Sequence, residues 1–259
     1  MDKKTISRDG TELAYTRAGQ GPAVILVSGA MSTGGTVAPL GGLLAGRCTV
    51  LTYDRRGRGA SGDTAPYAVE REVEDLAALI EVAGGEACLY GASSGGALAL
   101  RAAASGLPVP RVAVYETPYA VDEEAVRGRA TYTERLTEAL DRGRRGDAVE
   151  LFLRLTGLAE EMIQRARQSP MWAGMEAIAP TLAYDDAVMA GGRVPEALLA
   201  ALGAPVLAVA GGDSPLWLRE ATRAVAEAAP HGTYRLLEGQ THVVDPNVLA
   251  PVLAEFFAA

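Results

Sequence analysis

With 259 residues, 49% of them hydrophobic and 22% charged, the chain can bury the core of one large domain or of one domain with an insertion, and its composition speaks against disorder. A net charge of −8 leaves no electrostatic footprint for nucleic acid, and the densest basic run is the short Arg55-Arg56-Gly57-Arg58. No stretch approaches the roughly 18 apolar residues of a membrane span, and the polar start Met1-Asp2-Lys3-Lys4-Thr5 has no signal-like core behind it, so a soluble cytoplasmic protein without membrane association is expected.

In chain order, residues 4–7 and 11–16 flank Arg8-Asp9-Gly10, and an Asp-Gly pair between short strand-like runs predicts a β-hairpin. The continuously apolar 23–27 reads as a strand covered on both faces and ends at Ser28-Gly29-Ala30-Met31. A weak helix over 37–45 precedes a strand over 48–53, which delivers Asp54-Arg55-Arg56-Gly57-Arg58-Gly59-Ala60-Ser61. Residues 70–82 place Val73, Leu76, Ala77 and Ile80 on one helical face, and Gly84-Gly85 stops that helix. Ala87-Cys88-Leu89-Tyr90 then reads as a strand, Gly91-Ala92-Ser93-Ser94-Gly95-Gly96 as a tight turn, and 97–104 as a helix. Cys48 and Cys88 lie in apolar runs and are expected to be small core residues.

A strand over 111–115 ends at Glu116-Thr117-Pro118. From about 120 to 202 the chain changes character: helical segments are expected over 122–141 and 148–168, with no strand. Met171, Trp172, Met175, Ile178 and Leu182 give this insertion an apolar face, which could roof a pocket. Strand chemistry resumes over 205–210, a helix follows over 216–229, a last strand over 233–237 leads to Gln240-Thr241-His242, and Pro246 opens a final helix.

Alternating strands and helices imply α/β architecture, a mostly parallel sheet with helices on both faces and a ligand site beyond the carboxyl ends of the strands. Ser28 to Met31, Asp54 to Ser61, Ser93, Glu116, Asp213 and His242 each follow immediately or closely upon a predicted strand, so one rim gathers them. In a G-x-S-x-G turn between strand and helix the serine is strained and exposed, and its glycines avoid collisions with neighbouring backbone. Serine needs a base to take its proton and an acid to hold that base. His242 is preferred to His231, which falls in a polar turn at the far rim.

These motifs resemble the α/β-hydrolase superfamily. Gly91-Ala92-Ser93-Ser94-Gly95 is similar to its nucleophile elbow, residues 54–61 to its D-x-R-G-x-G-x-S loop, and Gln240-Thr241-His242 to its late histidine. The resemblance implies an α/β-hydrolase core over 1–118 and 204–259, a helical cap over 119–203, and a structural role for the arginine loop. It also implies backbone oxyanion donors at Ala30 and Ser94, although Ser28-Gly29-Ala30-Met31 departs from the common H-G-x-P form. Two acids are open. Asp213 follows the penultimate strand but falls one residue short of the G-x-x-D pattern. Glu116 sits where a glutamate completes the triad in haloalkane dehalogenases and zearalenone-type lactonases, and it is favoured.

The expected activity is that of a serine hydrolase cleaving a small to medium apolar ester or lactone through an acyl-enzyme on Ser93, His242 and Glu116. A thioesterase, an acyltransferase, or a noncatalytic small-molecule binding protein on the same fold is the alternative. A serine at the elbow argues against enzymes that use a carboxylate nucleophile. No metal is expected from two separated histidines, and no nicotinamide cofactor from glycines lacking the G-x-G-x-x-G pattern. The sequence leaves the oligomeric state open.

Overall fold

Asp9 and Gly10 make the expected turn: β1 (Lys3–Ile6) and β2 (Glu12–Ala18) pair antiparallel, with Gly10 at φ +88°. The structure, a computed structural model, describes residues 3–258. After the hairpin come β3 (Ala23–Val27), α1 (Gly34–Leu44), β4 (Thr49–Tyr53), α2 (Val69–Ala83), β5 (Cys88–Ala92), α3 (Ser94–Ala104) and β6 (Val112–Tyr115). Six helices follow: α4 (Glu123–Asp141), α5 (Arg145–Leu155), α6 (Glu160–Arg167), α7 (Trp172–Ile178), α8 (Leu182–Met189) and α9 (Glu196–Ala200). The chain closes with β7 (Val206–Gly211), α10 (Leu216–Ala228), β8 (Gly232–Leu237) and α11 (Pro246–Ala258).

The strands form one eight-stranded sheet in the order β1-β2-β4-β3-β5-β6-β7-β8, in which β2 alone runs against its neighbours. In β3 the residues Val24 to Val27 are fully buried, because alternate side chains enter two different cores. Val24 and Leu26 join the layer of α1 and α11, whereas Ile25 and Val27 join that of α2, α3 and α10. Burying each such side chain is worth about 1.5–3 kcal/mol, which is why a continuous β-branched run marks a central strand. Cys48 and Cys88 are buried and unbridged, and burial pushes the Cys88 thiol up to about 11, in keeping with core residues.

The insertion is helical as expected, but 148–168 is two helices. Thr156-Gly157-Leu158 separates α5 from α6, with Gly157 at φ +81°, a conformation that ends a helix and that a side chain resists. Trp172 and Leu182 pack inward with Tyr132, Leu136 and Val149, and Ala30 and Met31 of the core pack against that cluster. Met171 departs from the expected apolar face, being 74% exposed just before α7. The base of the insertion is closed where Ala120 N–H donates to Gly192 O at 2.7 Å. Among the described residues, no helix is long and apolar enough to cross a membrane.

Candidate active site

Ser93 stands between β5 and α3 at φ +54°, ψ −127°, a backbone state that costs a non-glycine residue about 1–3 kcal/mol. The turn is tight because the helix starts at the very next residue. A side chain at Gly91 would collide with the Gly95 carbonyl, and one at Gly95 with the carbonyls of Val27 and Ser28. Both glycines are therefore required by close backbone approach. Among the described residues, four non-glycine residues have φ between +46° and +54°, and three of them, Met31, Ser93 and Glu116, follow β3, β5 and β6 at the same edge of the sheet.

Glu116 is fully buried and both carboxylate oxygens are used. Oε1 accepts the Gly211 backbone N–H at 2.7 Å, and Oε2 accepts from His242 Nδ1 at 2.8 Å. A carboxylate withdrawn from water needs such partners, and two charge-assisted bonds of this length supply them. The His242 side chain is 45% exposed, in contrast to the fully buried Glu116. Among the described residues, the side-chain hydrogen bond of His242 runs to Glu116 and not to Ser93.

Asp213 is placed differently. It is exposed, and its backbone N–H donates to Gln240 O at 2.9 Å, which fixes the loop while its carboxylate faces solvent. His231 is also exposed, and its carbonyl accepts from Val206 N–H at the start of β7, the end of the sheet opposite Ser93.

On the other side of the serine lies the loop after β3. A side chain at Gly29 would approach Ser93 Cβ and Ala92 O to 3.0 Å each, so Ser28 to Met31 lies directly against the elbow. Ala30 is half-buried in that loop, and Ser94 opens α3, where the unpaired N–H groups and the helix dipole favour negative charge.

The arginines of the loop are internal, although its tip at Gly59 and Ala60 is exposed. Arg55, Arg56 and Arg58 are each at most 1% exposed. Arg55 is held bidentately by Glu72 at 2.7 Å and by Asp185 at 2.7 Å; Arg56 by Asp75 at 2.7 and 2.8 Å and Asp9 at 2.9 Å; Arg58 by Asp185 at 2.7 Å. Burial opposes the Asp185 charge, but Arg58 and Arg55 outweigh it and hold the carboxyl below its ordinary value. These basic side chains are accounted for by internal acids.

A family model described as the alpha/beta hydrolase family matches residues 24–253. The chain belongs to that family. Among solved structures, this hydrolase is similar to an alpha/beta hydrolase from Sphaerobacter thermophilus at 50% identity, covering 98% of this chain and 100% of that one, with a TM-score of 0.90. It shares its fold with an esterase from Thermogutta terrifontis solved with malate bound (24% identity, coverage 100% and 98%, TM-score 0.75). It also shares it with an enol-lactonase from Burkholderia xenovorans (21% identity, coverage 99% and 100%, TM-score 0.70).

Two side chains of this hydrolase at the site had no signal in the sequence reading. Tyr115, the last residue of β6, donates its hydroxyl to Thr241 O at 2.5 Å; burial, with the adjacent Glu116 charge, holds that hydroxyl protonated. Asp185 lies in the insertion, 130 residues from Arg55, and nothing local marks it. The one available clue was arithmetic: three arginines in four positions of an apolar core demand internal carboxylates.

Proposed function

We propose that this alpha/beta hydrolase cleaves small to medium apolar carboxylic esters or lactones through an acyl-enzyme on Ser93. The observation that carries the reading is the buried Glu116 carboxylate bonded to His242 Nδ1 at 2.8 Å, beside a serine held at φ +54°. Glu116 fixes the tautomer with a proton on Nδ1, which leaves the Nε2 lone pair to take the serine proton.

In the reaction, the Ser93 hydroxyl gives its proton to Nε2 as its oxygen attacks the carbonyl carbon. The resulting oxyanion is received by the N–H groups of Ala30 and Ser94; losing one such donor costs about 10²- to 10³-fold in rate. The imidazolium, stabilised by Glu116, passes the proton to the departing alkoxide. Water repeats the sequence on the acyl-enzyme and returns the proton to Ser93. For a lactone the departing alkoxide stays tethered until water releases the hydroxy acid.

What supports the apolar preference is the apolar character of the insertion, whose core of Tyr132, Leu136, Trp172 and Leu182 packs against Ala30 and Met31 next to the elbow. A fluorophosphonate probe and a panel of p-nitrophenyl esters of rising acyl length, lactones and acyl thioesters test the reading. Wild-type enzyme is expected to label and to prefer apolar oxygen esters, and Ser93→Ala to do neither. A preference for thioesters would move the assignment to a thioesterase, and an accessible, folded protein that neither labels nor turns over would leave a binding role.

A further inference from the structure

Asp185 belongs to α8 of the insertion, yet its carboxylate is buried beneath the elbow. Oδ1 accepts from Ser94 Oγ at 2.8 Å and from Arg55 Nη1 at 2.7 Å, and Oδ2 accepts from Arg58 Nη2 at 2.7 Å. Arg58 in turn donates from Nη1 to Gly29 O at 2.6 Å, and Arg55 Nη1 donates to Ser28 O at 3.3 Å. The Gly29 carbonyl and the Ala30 N–H are the two ends of one planar trans peptide and point in opposite directions. Gripping the carbonyl therefore aims the amide, and a cation on the oxygen makes that N–H a stronger donor. Ser94 is tied by its hydroxyl to the same carboxylate.

We infer that Asp185 is a positioning residue for the oxyanion hole: one carboxylate, carried by a cap helix, orients Ala30 N–H through Arg58 and Ser94 N–H through the Ser94 hydroxyl. The inference rests on the serine-hydrolase reading above. It makes the docking of α8 a condition for an ordered hole, so that the insertion contributes to the chemical step as well as to the roof. Other contacts keep α8 in place when Asp185 is altered. Tyr184 stacks on Tyr67 with ring centroids 3.8 Å apart and donates to Asp63 at 2.7 Å, and Arg101 Nε donates to Val188 O at 2.7 Å.

The test uses the full chain as wild type, Asp185→Asn, Ser94→Ala and the double variant, with p-nitrophenyl ester kinetics and inhibition by an alkyl trifluoromethyl ketone, whose hemiketal oxyanion would occupy the hole. Circular dichroism melts report folding separately. Asp185→Asn is expected to lower kcat by about tenfold or more with KM near wild type, and to weaken the ketone by the factor lost in kcat/KM. The double variant should lose less than the product of the two single effects, because both act on the same link. A lower melting temperature with unchanged kcat and ketone affinity overturns the proposal, since Asp185 would then be only a counter-ion for Arg55 and Arg58. Should Asp185→Asn fail to fold, Ser94→Ala, which leaves every ion pair intact, decides by the same kcat and ketone readouts. Wild-type protein that neither labels with fluorophosphonate nor turns over esters overturns the hydrolase reading and this inference together; labelled wild type with unaffected variants overturns the inference alone.

Discussion

Tyr115 and Glu116 are consecutive, and both act on the histidine loop: the Tyr115 hydroxyl donates to Thr241 O at 2.5 Å, while Glu116 Oε2 accepts from the ring of His242, the next residue, at 2.8 Å. The end of β6 thus holds the loop by its backbone at Thr241 and by the side chain of His242. The turn to positive φ at Glu116 (+46°) lets neighbouring residues reach the same loop from one strand end.

Glu116→Gln is therefore expected to lower kcat by about 10²- to 10⁴-fold, because the amide cannot stabilise an imidazolium and can present a hydrogen to the wrong ring nitrogen. Asp213→Asn, at an exposed carboxylate, should leave turnover near wild type. Ester kinetics on both folded variants decide between them, and the reverse ranking would transfer the acid to Asp213.

Tyr115→Phe keeps the buried ring and removes one hydrogen bond, a loss of about 0.5–1.5 kcal/mol in stability. Its larger effect is expected in kcat, with KM little changed, because the carbonyl before His242 loses its anchor. A thermal melt beside steady-state kinetics separates the two effects.

Gly211→Ala tests the other fixed point of the acid. The added methyl would meet the Gln240 carbonyl and come to 2.9 Å of the Tyr115 hydroxyl, while Gly211 N–H is the donor to Glu116 Oε1. Overpacking of this kind costs about 1–3 kcal/mol. Activity should fall further than the stability loss explains at a temperature where the variant remains folded.

Stability should depend on acid through Asp185 and Asp9, whereas Asp75, raised by burial, acts in the opposite sense. Asp185 has a folded pKa below its ordinary value, and so does Asp9, where the Arg56 and Thr11 hydrogen bonds outweigh burial. For a depressed carboxyl the contribution is complete above the unfolded value of about 3.9 and is lost as pH falls through the folded value. Urea midpoints measured downward from neutral pH should hold until about pH 4 and then drop, and the drop should be smaller in Asp185→Asn. The same drop in wild type and Asp185→Asn would contradict the Asp185 contribution.

Much of the sheet was legible because its central strands are continuous apolar runs, as in residues 23–27, and because Gly and Asp-Gly signals bound them. The rim residues Ser93, Glu116 and His242 were legible for the same reason: each follows a strand. The split between α5 and α6 was not, since one glycine inside a charged helical pattern is tolerated at a cost of about 1 kcal/mol and does not by itself mark a break. Asp185 was invisible because its meaning lies in partners about 90 to 130 residues away, Ser94, Arg58 and Arg55, and nothing in the adjacent pair Asp185-Asp186 marks which of the two is buried.

The central claim is a covalent acyl-enzyme on Ser93, and rapid-quench mass spectrometry of the enzyme during turnover of a p-nitrophenyl ester tests it most directly. The account predicts an acyl adduct on the peptide bearing Ser93 in the wild type, increased in Glu116→Gln if deacylation slows more than acylation, and absent in Ser93→Ala together with turnover. Undiminished turnover in folded Ser93→Ala, with no adduct on Ser93 in the wild type, would contradict it.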